Sequence, residues 1–239
     1  MIKPNVLLIL LGAAVLGGCQ RQTEAPVPAT PPAEGTTAVA TPTPEPAAAP
    51  VAEPLAPELA ARLVRAHSPV IGPANAPVTL VEFLDPACEA CRAFAPVVKQ
   101  ILFLHPEDVR VVVRYAAFHQ GSDEAIRLLD AARRQGKFET LLAALFDGQD
   151  VWASHHSPNL QEAWKIAAAS GIDMARARKD AASAEAGALL RQENDDIVAL
   201  KVERTPTFFV NGKPLVEFGP EPLMKLVADE VAAARKPAN

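Results

Sequence analysis

An apolar run, Val78 to Leu84, leads within four residues into Cys88-Glu89-Ala90-Cys91 and a helical pattern from Cys88 to Phe103. That junction limits the possible folds more than any other stretch of the chain. A run broken only by Thr79 and Glu82 has the near-continuous hydrophobicity of a strand covered on both faces, and such strands belong to sheets crossed by helices. Asp108 to Tyr115, with four valines, reads as a second strand and Thr207 to Val210 as a third. Asn211-Gly212 is a tight hairpin signal leading to a fourth strand at Leu215 to Phe218. Helical patterns cover Ser122 to Phe146, Gln161 to Ser170, Asp173 to Ala181, Ala184 to Val202 and Glu221 to Ala234. Ser122 ahead of Asp123 and Glu124 looks like a helix start. The order β-α-β, a helical insertion over about 122–200, then β-β-α predicts an α/β domain with an inserted helical subdomain.

The N-terminal quarter follows other rules. Lys3 precedes an apolar run, Val6 to Leu16, that is short for a membrane span and ends in Gly17-Gly18-Cys19, as in a secretory signal. Leu16-Gly17-Gly18-Cys19 resembles a bacterial lipoprotein signal, in which the cysteine is lipidated and becomes the mature N-terminus. Residues 1–18 are thus expected to be a signal peptide and Cys19 a lipidation site. An ordinary cleaved signal is the alternative. Acyl chains contribute roughly 0.8 kcal/mol per buried methylene, enough when several act together to hold a protein on a membrane. Gln20 stands where an aspartate would suggest inner-membrane retention, so the expected location is the outer membrane, facing the periplasm. Ten of the 23 prolines lie between Pro26 and Pro57. That stretch is too poor in large apolar residues to offset its ordering entropy, so residues 19–57 read as a lipidated end and an extended tether reaching about 100 Å at most. Glu58 to Ala66 is weakly helical, and 58–239 is the expected domain.

The net charge of −5 leaves no basic stripe to release phosphate counterions, which argues against a nucleic-acid partner. With one cysteine assigned to lipidation, two remain for chemistry. A structural zinc site needs about four ligands, and the adjacent His155 and His156 are poorly arranged to complete one with a distant cysteine pair. No metal and no cofactor are expected. Cys88 at a helix N-terminus would have its thiolate stabilised by unpaired N–H groups and the helix dipole. Cys91, one turn further in, would be sheltered and act as the resolving thiol. An inert disulfide is the other possibility, but so small a loop contributes little closure entropy. Glu82 shares a strand face with Leu80 and Leu84, six residues before Cys88. In a central strand its carboxyl would be buried, its pKa raised, and it could shuttle protons for the inner thiol; on an edge strand it would be exposed. Pro206, opening a strand, suits a cis peptide bond after Thr205. His119 and Asp85 are candidates for the border of the site, and Trp152 and Trp164 for packing.

Taken together, Val78-Thr79-Leu80-Val81-Glu82-Phe83, Asp85-Pro86 before the CxxC, and Thr205-Pro206-Thr207-Phe208-Phe209-Val210-Asn211-Gly212 resemble the DsbA-like thiol:disulfide oxidoreductases over about residues 68–235. The resemblance implies a thioredoxin-like fold with an inserted helical subdomain. It implies that Cys88 is the nucleophile, Cys91 the resolving cysteine and Glu82 the buried acid. It also implies that Thr205 and Pro206 form the cis-proline loop that binds substrate backbone, and that Pro96 kinks the first helix. Glu89-Ala90 replaces the Pro-His of strongly oxidising members, and Thr205 before the proline resembles isomerase-type relatives. The direction of electron flow is therefore left open.

The function expected is a membrane-tethered extracytoplasmic thiol:disulfide oxidoreductase. Its expected partners are substrate proteins with thiols or disulfides and a redox partner that resets the pair. The alternative is a Cu(I)-binding thiol module, since soft thiolates suit that ion. A monomer is expected.

Overall fold

A computed structural model describes residues 53–154 and 157–236. Cys19, residues 1–52 of the proposed signal and tether, and the pair His155–His156 lie outside the described residues. Within them, β2 (Val78–Leu84) is the central strand of a five-stranded sheet ordered β1-β3-β2-β4-β5. β3 (Val109–Tyr115) pairs parallel with β2 on one side, and β4 (Thr207–Val210) pairs antiparallel on the other. The parallel pair is joined across α2 (Glu89–Leu104), as the continuous apolar character of both strands requires.

Side-chain alternation divides the core in two. Leu80, Leu84, Val111, Val113, Phe208 and Val210 face α2 and α9 (Pro220–Ala234), meeting Phe94, Val98 and Ile101 from the first and Leu223, Val227 and Val231 from the second. Val81, Phe83, Val112 and Phe209 point the other way, onto Leu63, Ile197 and Leu200. Leu55 and Leu59 pack on this second core, and the Leu55 N–H donates to the Gly212 carbonyl at 2.9 Å. The described residues before β1 (Val70–Ile71) are therefore part of the fold; among them the helix is α1 (Pro57–Ala60), shorter than the Glu58 to Ala66 expected.

The second layer is pinned by charge. Arg114, fully buried on β3, lies 5.1 Å from the Phe83 ring centre and pairs with Glu193 at 2.7 Å and Asp196 at 2.8 Å, both on α8 (Ala184–Leu200). Arg62 and Arg65 reach the same Asp196 at 2.9 and 2.6 Å, and His67 reaches Glu193 at 2.8 Å. Burial alone would raise the Asp196 pKa, but the three guanidinium bonds outweigh it and bring it to about 2.

The inserted subdomain contains α3 (Ser122–Arg133), α4 (Phe138–Asp147), α5 (Gln149–Trp152), α6 (Leu160–Ala169) and α7 (Met174–Ala181). The single helix expected over Ser122 to Phe146 is two. Gly136, at φ +68°, closes α3 in the left-handed conformation, and the Lys137 N–H returns to the Ala132 carbonyl at 2.9 Å. The expected fourth strand is also displaced. Asn211 and Gly212 make the predicted turn with φ of +48° and +81°, but β5 covers only Lys213–Pro214. Pro214 has no N–H to give the ladder, and Val216 and Phe218 turn outward, about half exposed. Trp152 is fully buried with its indole N–H on the Leu145 carbonyl, and Trp164 gives its N–H to Glu124, so both are packing residues.

Candidate active site

The carboxyl end of β2 delivers the chain into a short loop, and Cys88 ends it as the N-cap of α2. Its backbone is extended (φ −80°, ψ 120°) while Glu89, Ala90 and Cys91 already turn helically, so the sulfur stands at the N-terminal end of the helix. Cys88 Sγ lies 3.3 Å from the Thr205 carbonyl oxygen, and the Thr205–Pro206 bond is cis. The cysteine pair and the cis-proline loop, more than a hundred residues apart in sequence, thus meet because β2 and β4 are neighbours.

The two thiols are unequal. Cys88 is 6% exposed and Cys91 fully buried, so an incoming sulfur can reach only the first. The Cys88 pKa falls to about 5: the Cys91 thiol donates to it, outweighing the opposing effect of burial, with further help from the Thr205 side chain and the Cys91 and Ala90 N–H groups. Burial pushes the Cys91 thiol far above the ordinary range, and its bond to Cys88 and the nearby Glu82 push it further. One cysteine is held as a thiolate and the other as a thiol.

Glu82 sits where strand alternation placed it, on the α2 face of the central strand and 3% exposed. Burial, with a smaller contribution from the Cys88 thiolate, raises its pKa to about 8. Its Oε1 meets no protein hydrogen-bond partner. The acid is therefore mostly protonated at pH 7.

The loop carrying Cys88 is held from below by Asp85, which is fully buried. Its Oδ1 accepts the Ala87 N–H at 2.8 Å and the Ser122 hydroxyl; its Oδ2 accepts the Phe118 N–H at 2.8 Å and the His119 N–H and Nδ1–H, both at 2.9 Å. Ser122 opens α3, the helix start expected from the sequence. Gly121 takes the N-cap position, leaving the Ser122 side chain to brace Asp85. Burial acts to lower the His119 pKa, but the bond to Asp85 and the negative charges of Cys88 and Glu89 make the net shift upward. Gln149 of α5 completes the support, its amide donating to the Pro86 and Cys88 carbonyls at 3.0 and 3.1 Å. No sequence pattern marks Gln149; it becomes informative only when the subdomain folds over the loop.

Beside Pro206 a groove of about 460 Å³ runs between Lys201, Arg204, Leu215 and Phe218. Phe218 stacks on Phe94 at 4.9 Å and carries the Arg204 guanidinium 5.6 Å from its ring centre. Among the described residues no group of three or more His, Cys, Asp or Glu could hold a metal ion, and no helix is long and apolar enough to cross a membrane.

The family model for thioredoxin matches residues 65–229. A thioredoxin-like oxidoreductase from Silicibacter pomeroyi DSS-3 is 30% identical and superposes with a TM-score of 0.61, over 73% of this chain and 95% of that one. Wolbachia pipientis alpha-DsbA1, 18% identical, shares the fold with a TM-score of 0.62 over 72% of this chain and 94% of its own. The Na(+)/H(+) antiporter NhaA 1 of Mycolicibacterium gilvum (strain PYR-GCK) is 30% identical over 151 residues, 60% of this chain but 23% of the antiporter. The chain spans about a quarter of the length of the curated relatives it matches. The sheet order, the cysteine pair at the start of α2 and these matches agree: the chain belongs to the thioredoxin family.

Proposed function

We propose that this protein is a thiol:disulfide oxidoreductase that gives its Cys88–Cys91 disulfide to extracytoplasmic client proteins. The observation that carries the reading is the Cys88 sulfur, held as a thiolate with a pKa of about 5 beside a buried thiol and the cis-proline loop. A thiolate so stabilised favours the reduced pair, which makes the disulfide the species that is readily passed on.

The reaction follows from the inequality of the two sulfurs. A client thiolate attacks Cys88 Sγ, the Cys88–Cys91 bond breaks, and Cys91 leaves with the electron pair and takes a proton from Glu82. A second client thiolate then attacks the client sulfur of the mixed disulfide, and Cys88 departs as its stable thiolate. The client loses two electrons and the protein gains them; a redox partner must then reoxidise the pair. Thr205 and Pro206 would align the client backbone, and the groove toward Phe218 would take its side chains.

The Leu16-Gly17-Gly18-Cys19 motif supports attachment to a membrane through a lipidated Cys19. In this reading residues 1–18 are a signal peptide, 19–57 a tether and 58–239 the catalytic domain, which acts as a monomer from the periplasmic face of the outer membrane.

The test uses the oxidised protein and a reduced dithiol peptide. We expect stoichiometric conversion of the peptide to its disulfide. We also expect Cys91→Ser to accumulate a reductant-sensitive adduct with peptide disulfides, and Cys88→Ser to accumulate none. Equal trapping by the two variants would reverse the assigned roles, and no exchange by the unmodified protein would sink the proposal.

A further inference from the structure

Exchange at a disulfide sets two proton tasks. The leaving sulfur must gain a proton, and the entering sulfur must first lose one, because only a thiolate attacks. Glu82, buried beside Cys91, is placed for the first task. The second falls on the outer side of the pair, where a client arrives with an ordinary thiol that is only about 3% ionised at pH 7.

The fold brings a base to that side. β2 and β3 run parallel with Leu84 opposite Tyr115, so the segments that follow them leave the sheet at the same end. The first segment carries Asp85 and Cys88, the second His119. Asp85 ties the two together: its carbonyl accepts the Cys88 N–H at 3.1 Å, and its carboxylate holds the His119 ring at 2.9 Å. Oδ2 already accepts two backbone N–H groups there, so it is the acceptor of the ring bond as well, and Nδ1 carries the proton. The lone pair of the neutral ring is then on Nε2, which has no protein partner among the described residues, and 35% of the side chain is exposed. The other described histidines lie elsewhere: His67 bonds Glu193 in the second layer, and His105 follows the far end of α2.

We propose that His119 is the general base of the entry step, its Nε2 taking the proton of the client thiol, with Asp85 as the positioning residue that fixes the ring tautomer and faces the imidazolium that forms. The proposal rests on the oxidoreductase reading above. The charged groups facing the ring are Asp85 of the loop and Cys88 and Glu89 at the head of α2. Burial, the largest single effect, favours the neutral ring, and the three negative groups together outweigh it, raising the pKa from 6.5. That is toward neutral pH, where a general base is most effective. The Cys88 charge is absent while the pair is a disulfide, so the ring is more readily neutral in the form that receives clients.

The step balances. The client proton goes to Nε2, the client sulfur bonds Cys88 Sγ, and the Cys88–Cys91 electron pair leaves on Cys91, which takes the Glu82 proton. His119 returns its proton to water and serves the second client thiol in the same way, while Glu82 regains a proton from water. The client loses two electrons, the protein gains them, and one proton is released overall.

His119→Asn provides the test, since it keeps an N–H for Asp85 at the place of Nδ1 and removes the base. The oxidised full chain is mixed with a dithiol peptide from pH 5.5 to 9, and the rate is taken in the range linear in peptide. The parent rate should level off once His119 is neutral, whereas the variant rate should keep climbing about tenfold per pH unit with the thiolate fraction of the client. At pH 7 the variant should be about ten- to thirtyfold slower, the upper figure being the whole of the missing ionisation, and the two rates should converge above about pH 8.5. The same peptide with selenocysteine as the attacking residue, already ionised across this range, should react equally fast with both proteins. A folded variant whose profile matches or runs parallel to that of the parent, or that is slowed as much against the selenopeptide, overturns the assignment. His119→Gln takes its place if His119→Asn does not fold. If the parent protein oxidises neither peptide, the oxidoreductase reading has failed instead.

Discussion

The redox potential of the pair should depend on pH in a way that counts its protons. An ordinary dithiol takes up two electrons and two protons on reduction, and its potential falls about 59 mV per pH unit. Here Cys88 is a thiolate above about pH 5 while Cys91 stays protonated far beyond the neutral range. Between pH 5.5 and 8 reduction therefore consumes one proton at the cysteines, and each proton in a two-electron couple is worth about 30 mV per pH unit. By pH 7 the two pH units above the Cys88 pKa amount to roughly 60 mV in favour of the oxidant over the same pair with an ordinary thiol. Glu82 adds a second, smaller contribution. Its pKa of about 8 depends partly on the Cys88 thiolate, which exists only in the reduced protein, so reduction draws an extra fraction of a proton into Glu82. The cysteine contribution is isolated in Glu82→Gln, equilibrated with glutathione from pH 5 to 8.5 and quantified by thiol labelling. The expected slope is about 30 mV per unit, with the parent protein steeper than the variant below pH 8. A slope near 60 mV per unit in Glu82→Gln between pH 6 and 8 would mean that Cys88 is a thiol in the reduced state, and the argument from its low pKa would fall.

Three further outcomes are expected. Glu82→Gln should stabilise the fold at pH 7 by about 3 kcal/mol, because a carboxyl raised from 4.5 to about 8 on folding costs stability as pH climbs through that window; the gain, read from urea denaturation, should vanish below about pH 4, where both states are protonated. Arg114→Leu leaves Glu193 and Asp196 buried without their shared cation and should cost about 3–5 kcal/mol while leaving the Cys88 titration in place; a loss under about 1 kcal/mol would show that Arg62 and Arg65 suffice. Cys19→Ser should release the protein from membranes into the soluble extracytoplasmic fraction, and unchanged membrane association would remove the lipid anchor from the proposal.

What could be read from the sequence was local. Cys88, Cys91 and Glu82 lie within ten residues, so strand alternation and the strand-to-helix junction set their relation before any tertiary contact forms. The cis-proline loop became legible only through its likeness to a family motif, since nothing in Arg204-Thr205-Pro206 says where it docks. Partners meeting across long separations left no trace: Gln149 holding the Cys88 carbonyl, Ser122 turning to Asp85, and Arg114 gathering Glu193 and Asp196. The Ser122 to Phe146 region misled because its apolar positions keep a helical period across Gly136, where only the positive φ of the glycine records the break. Pro214 should have weakened the expectation of a longer fourth strand, because a residue with no N–H is a poor member of a ladder.

The hydrogen bond from Leu55 to Gly212 has a bearing on how the protein meets its clients. The turn at Asn211-Gly212 faces Thr79, near the start of β2, and Cys88 follows the end of that strand. From Thr79 to Leu84 the strand alone advances about 17 Å. Leu55 therefore lies toward one pole of the sheet and the reactive sulfur toward the other. If the proposed anchor at Cys19 holds, a leash fastened there would pull from behind, leaving the working end turned outward. Lengthening or shortening that leash would then change how far the domain can search, without altering the chemistry it performs on arrival.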